Sequence, residues 1–87
     1  MSDFEYDSKK SQTNLQNHGI GFDSVQELLL DVDLIEVSVK ISDKPRSFVI
    51  GKIGAKHWSA IITSRNAFIR IISVRRSRKS EVELYES

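Results

Sequence analysis

Ten lysines and arginines lie between Lys44 and Ser80, and no Asp or Glu interrupts them. Arg46, Arg65, Arg70, Arg75, Arg76 and Arg78 are among them. A guanidinium is a planar fork that matches two phosphate oxygens at once. A run of such forks interleaved with Phe48, Trp58 and Phe68 suits a polyanion, because each neutralised phosphate releases counterions. Cleaving RNA without a metal ion needs three things. The 2′-hydroxyl must lose a proton, the phosphorane must be stabilised, and the leaving oxygen must gain a proton. Arginines serve the second need, and His, Lys or Tyr can serve the other two. His18, His57 and Tyr85 are therefore worth following. The same arginines equally suit the acidic helices of a partner, or a soluble sheet edge.

The acids are gathered elsewhere. Residues 1–36 hold eight acids against two lysines, and residues 37–87 hold eleven bases against four acids. The net charge of +1 conceals opposite halves. At 87 residues the chain has room for one domain, taken as residues 1–87, with one modest core. Without cysteine, neither disulfides nor thiolate metal sites are available. The two histidines have no metal-ligand spacing, so no metal or other cofactor is expected. No apolar run approaches the roughly 20 residues that span a bilayer, and the first residues lack a signal-peptide pattern. A cytoplasmic protein without membrane contact is the expectation. Gly19-Ile20-Gly21 reads as a helix stop rather than a phosphate loop.

These residues need elements to position them. Asp3–Tyr6 reads as a short edge strand. Asp7 reads as the cap of a helix over Ser8–Asn17 that Gly19 stops. A second helix is expected from Asp23, with Gln26 in capping-box position and Val25, Leu28 and Leu29 on one face. Asp31-Val32-Asp33 ends it, and Leu34–Ile41 alternates as a strand. Residues 46–53 and 56–63 flank Gly54-Ala55, a type II′ hairpin signal. That register pairs Val49 with Ala60, Gly51 with Trp58 and Ile53 with Lys56 on a core face. The other face pairs Phe48 with Ile61, Ile50 with Ser59, Lys52 with His57 and Arg46 with Thr63, as the floor of a basic groove. Asn66 suits a left-handed turn, and Phe68–Arg75 follows as a central antiparallel strand. Which of Arg70 and Arg75 faces the groove turns on the loop around Asn66, because a one-residue slip exchanges faces. Ser77 or Ser80 would cap a short C-terminal helix through Tyr85, with Glu83 completing a box after Ser80. The sum is an α+β fold. Two N-terminal helices pack on an antiparallel sheet of about four strands, with a short C-terminal helix added.

Phe4-x-Tyr6-Asp7, Lys10, Asn14 and His18-Gly19-x-x-Phe22 resemble the opening of the BrnT toxin family. Arg46, Gly51, Thr63-x-Arg65, Arg70-Ile71-Ile72-Ser73-x-Arg75, Glu81 and Tyr85 continue the resemblance, which runs without gaps from Phe4 to Tyr85. The chain departs from the family pattern at Tyr6 (for tryptophan), Asn17 (for a base), Asp43-Lys44-Pro45, Asn66 (for glycine) and Val74 (for alanine). The resemblance implies a RelE-like fold and RNA cleavage within a type II toxin–antitoxin pair. It implies neutralisation by a BrnA-type antitoxin that carries the DNA-binding domain, so DNA is met only through that partner. A homodimer, or a heterotetramer with antitoxin, fits such a system. On this reading the catalytic candidates are His18, Arg65, Arg70, Arg75 and Tyr85, with Lys10, Arg46 and Arg76 contacting RNA. The alternative is an inactive relative whose basic surface docks an antitoxin or nucleic acid, and Asn17 is the residue that favours it.

Overall fold

A computed structural model describes residues 3–65 and 67–87 of the chain. The expected turn at Asn66 and the side chains of Asp3 and Arg65 lie outside the described parts. The first helix, α1, runs Ser8–His18. The Asp7 carboxylate accepts from the N–H groups of Lys9 and Lys10 at 2.8 and 3.2 Å, and Gly19 closes the helix at φ 75°. α1 is polar, so burial of an apolar stripe cannot hold it. Asn14 does that work: it is buried, and its Nδ2 donates to the carbonyls of Ile20 (2.9 Å) and Val74 (2.8 Å). The amide thereby joins α1 to a strand sixty residues away.

The second helix is shorter than expected. A 3₁₀ turn, Phe22–Ser24, leads into a single α-helical turn, α2, Val25–Leu28. Its buried residues are Phe22, Val25 and Leu28. They recur every third residue, and one or two tight turns bury them all. Beyond Leu28 the chain exposes Leu30 and Val32, so nothing rewards further helix.

The strands are β1 (Asp3–Glu5), β2 (Ile35–Ile41), β3 (Lys44–Ile53), β4 (Lys56–Arg65) and β5 (Phe68–Arg76). They form one five-stranded sheet in the order β1-β5-β4-β3-β2. The sheet is mixed rather than antiparallel, because β1 runs parallel to β5. A three-residue strand carries no pattern that states its direction. The β3–β4 hairpin has the expected register, Val49 with Ala60 and Gly51 with Trp58, and turns at Gly54 with φ 61°. A Cβ on Gly51 would lie 2.9 Å from both Leu28 Cδ1 and Leu34 Cδ1, so that space belongs to α2 and the segment after it. The β2–β3 turn is formed by Ser42 and Asp43, both at positive φ (52° and 62°). Two consecutive left-handed residues make a type I′ turn, here without glycine or asparagine to announce it.

A bulge in the β4–β5 ladder decides the face of the arginines. Ile61 pairs with Ser73, but Ile62 pairs with Ile71, which leaves Ile72 extra. Arg70 therefore pairs with Thr63 and Arg75 with Ser59. Residues 59, 61 and 63 share a face. Arg70 and Arg75 consequently face the same way, although an unbroken strand would send them to opposite sides.

One face of the sheet is the core. Val49, Trp58, Ala60, Ile62, Ile71 and Val74 meet Ile20, Phe22, Val25 and Leu28. The other face carries Arg46, Phe48, Ile50, Ser59, Ile61, Thr63, Arg70, Ser73 and Arg75. Over its Ser59 end lies the last helix, α3, Lys79–Glu86. Neither Ser77 nor Ser80 caps it. Arg78 is the N-cap, and its N–H donates to Glu81 Oε1 at 2.8 Å. Ser77 instead bonds Ser59 Oγ to Oγ at 2.7 Å.

Candidate functional site

Arg75 and Glu81 are the centre of the α3-side face. Arg75 Nη1 donates to Glu81 Oε1 and Nη2 to Oε2, both at 2.8 Å. The fork is bidentate, the strongest form of this pair. Glu81 Oε1 also accepts from Ser59 Oγ at 2.9 Å and from the Arg78 N–H. The Arg75 bonds are the main cause that brings the Glu81 carboxyl down to about 2. In return Glu81 raises the pKa of Arg75. The guanidinium carbon lies 6.0 Å from the centre of the Phe48 ring. An arginine fork over an aromatic ring is thus fixed in one orientation by a carboxylate. A phosphate presents the same two-oxygen edge as that carboxylate.

α3 brings two more groups to this region. The Tyr85 hydroxyl donates to Asp31 Oδ2 at 2.6 Å, and that bond is the main reason the phenol is pushed up to about 12. Burial by itself would raise the Asp31 carboxyl. Bonds from Tyr85 and from the N–H groups of Asp33 (2.9 Å) and Lys52 (2.8 Å) outweigh it, and the pKa is lowered. His57 meets the Tyr85 ring edge-on at 5.2 Å, and its Nε2 lies 3.1 Å from Glu86 Oε1. Farther along the face, Arg70 Nη1 lies 3.6 Å from Glu5 Oε1. Arg46 donates to the Pro45 carbonyl at 3.0 Å and lines an open hollow of about 430 Å³ with Thr63 and Lys40.

The other candidates lie elsewhere. Lys10 and His18 line a cleft of about 270 Å³ with Lys9, Thr13, Asn17 and Ile72, on the α1 side of the sheet. Arg76 pairs with Trp58 and stacks over its indole at 5.4 Å, also away from Arg75. Trp58 itself is buried in the core. The backbone of Arg65 closes β4 opposite Phe68. The fold therefore brings Arg46, Arg70, Arg75 and Tyr85 to one side and leaves Lys10, His18 and Arg76 on the other.

Two contributors escaped the sequence reading. Ser59 looked like one polar residue in an alternating strand, and Asp31 looked like a helix stop. Neither carries a local signal, because their partners are 22 and 54 residues away. Among the described residues, no group of three His, Asp or Glu side chains could hold a metal ion. No described helix is long and apolar enough to cross a membrane.

The family model for the BrnT ribonuclease toxin of type II toxin–antitoxin systems matches residues 6–81. No curated protein matches the chain. The match spans α1, every strand but β1, and the Arg75–Glu81 fork. With that span of the chain accounted for, it belongs to the BrnT family of type II toxin–antitoxin ribonuclease toxins.

Proposed function

We propose that this chain is an endoribonuclease that binds RNA on the α3-side face and cleaves it without a metal ion. Arg75 takes the scissile phosphate by exchanging the Glu81 carboxylate edge for a phosphate edge. Arg70 and Arg46 hold flanking phosphates, and Arg65 is a further candidate. A base removes the 2′-hydroxyl proton, the 2′-oxygen attacks phosphorus, and the 5′-oxygen leaves with a proton from an acid. The products are a 2′,3′-cyclic phosphate and a 5′-hydroxyl. His57 and Tyr85, in ring contact with each other, are the proton carriers. Tyr85 must leave Asp31 to act, because that bond holds its proton. Lys10, His18 and Arg76, on the far side, bind RNA beyond the scissile bond. In this reading the fold is of the RelE kind, the neutralising partner is a BrnA-type antitoxin that alone touches DNA, and the setting is the cytoplasm.

The family match carries this reading, and the arginine fork over Phe48 gives it a chemical centre. One observation favours a second reading, an inactive docking module: the Arg75 fork is already filled by Glu81. The test is purified protein with RNA in EDTA. Cleavage leaving 2′,3′-cyclic or 3′-phosphate ends supports the proposal. Activity that vanishes with chelator and returns with magnesium contradicts the mechanism. Binding without cleavage selects the docking module.

A further inference from the structure

β2 is the long open edge of the sheet. Among the described residues it pairs with β3 on one side only, while at the opposite edge β1 covers Phe68–Arg70 of β5. Its seven residues, Ile35–Ile41, carry no proline, glycine or bulge to blunt the edge, and its charges are one acid, Glu36, and one base, Lys40. Val37 and Ile41 are 41% and 46% exposed on the face they share with Phe48.

The order of side chains along this edge is self-complementary. It reads Ile-Glu-Val-Ser-Val-Lys-Ile about Ser38. Two copies running antiparallel and centred on Ser38 would place Ile35 opposite Ile41, Val37 opposite Val39 and Glu36 opposite Lys40. Every apolar residue meets an apolar one, and both acids meet bases.

The backbone has matching parity. Ile41 and Lys44 flank a two-residue turn, so they exchange hydrogen bonds with each other. Val39, Val37 and Ile35 then turn their polar groups toward β3. Glu36, Ser38 and Lys40 turn theirs outward. The Ser38-centred register opposes these outward residues to one another, as an antiparallel ladder requires. A register shifted by one residue would lose both the charge pairing and the parity.

We infer that β2 is a homodimer interface, which joins two copies of this chain by antiparallel β2–β2 pairing about Ser38 into one continuous sheet. The two-fold contact is isologous, as closed dimers require. A seven-residue strand pair covers less than the roughly 1,600 Å² of a standard interface, so the dimer is a weak, concentration-dependent one. Arg75 and the RNA reading play no part in this inference.

Sedimentation velocity on the purified chain across a concentration series tests it. The unaltered chain is expected to pass from monomer to dimer in about the micromolar range. Glu36→Lys and Lys40→Glu each set like charges opposite one another twice per dimer, and each should weaken dimerisation about tenfold. Mixing the two variants should yield a heterodimer, and the double swap should restore the unaltered affinity within about threefold. Ser38→Pro removes the central outward N–H, at an edge position that tolerates proline. It should abolish the dimer while circular dichroism stays unchanged. A chain that remains monomeric throughout would overturn the inference. So would charge variants that dimerise like the unaltered chain, or a mixture that forms no heterodimer.

Discussion

The 3₁₀–α2 segment and α3, on opposite sides of the sheet, are held by different forces. The 3₁₀ turn and α2 bury Phe22, Val25 and Leu28 against the strands. α3 buries no side chain fully and is held through Glu81, Tyr85 and Glu86. Apolar burial carries no titrating group, and its loss is felt by the whole fold. A polar clasp is local, directional and titratable. The side that carries the clasp is also the side that carries the arginine fork. The face suited to an anion is thus built beside the polar clasp rather than beside the apolar core.

The largest effect should come from the apolar side. Phe22→Ala is expected to cost about 3–5 kcal/mol, a large share of the roughly 5–15 kcal/mol of a small domain. Denaturant unfolding followed by Trp58 fluorescence measures it. On the clasp side, Glu81→Gln should cost about 1.5–3 kcal/mol, the range for a hydrogen bond to a charged group. Amide exchange should show protection lost in α3 while the amides of β3 and β4 stay protected. Loss of protection throughout would mean that α3 is integral to the core and that the two sides do not differ.

That contrast was partly legible in the residues. Asp7, Gly19 and Gly54 act within a turn of themselves, so α1 and the β3–β4 register could be read directly. The core face followed from that register. The β2–β3 hairpin was not legible, because Ser42 and Asp43 adopt left-handed angles without a glycine or asparagine to signal them. The bulge at Ile72 was not legible either, since it exists only as a mismatch between two strands. The open question of Arg70 against Arg75 was settled there. Asp31 and Ser59 were invisible because their roles come from contacts made across the fold. The motif residues of the BrnT resemblance divide in the same way. Asn14 is a buried tie between α1 and β5, while Arg75 stands on the α3-side face.

Acid should separate the sides a second time. The Glu81 carboxyl is depressed in the fold from about 4.5 to about 2. Its contribution is therefore complete above pH 4.5 and is lost as pH falls toward 2. Amide signals of α3 should lose their native positions in that window before those of the core strands. Simultaneous loss would contradict a separate clasp.

The smallest effect is at Tyr85. Tyr85→Phe removes one solvent-screened hydrogen bond and should leave the denaturant midpoint almost unchanged. The phenol ionises near 12 in the fold, so its bond to Asp31 is complete below about 10 and is lost as pH rises through 12. Ultraviolet titration should show a late tyrosine that vanishes in the variant. If the late titration persists, Tyr85 is not its source.

The account's central claim is that RNA is cut on the α3-side face. The most direct test is the single-turnover cleavage rate at saturating RNA for His57→Ala beside His18→Ala. The account predicts a fall of about 100-fold or more for His57→Ala, the size of a lost acid or base. It predicts a rate within about threefold of the unaltered protein for His18→Ala, whose loss should appear in affinity instead. The reverse pattern, with His18→Ala inactive and His57→Ala unimpaired, would place the chemistry in the Lys10–His18 cleft and contradict the account.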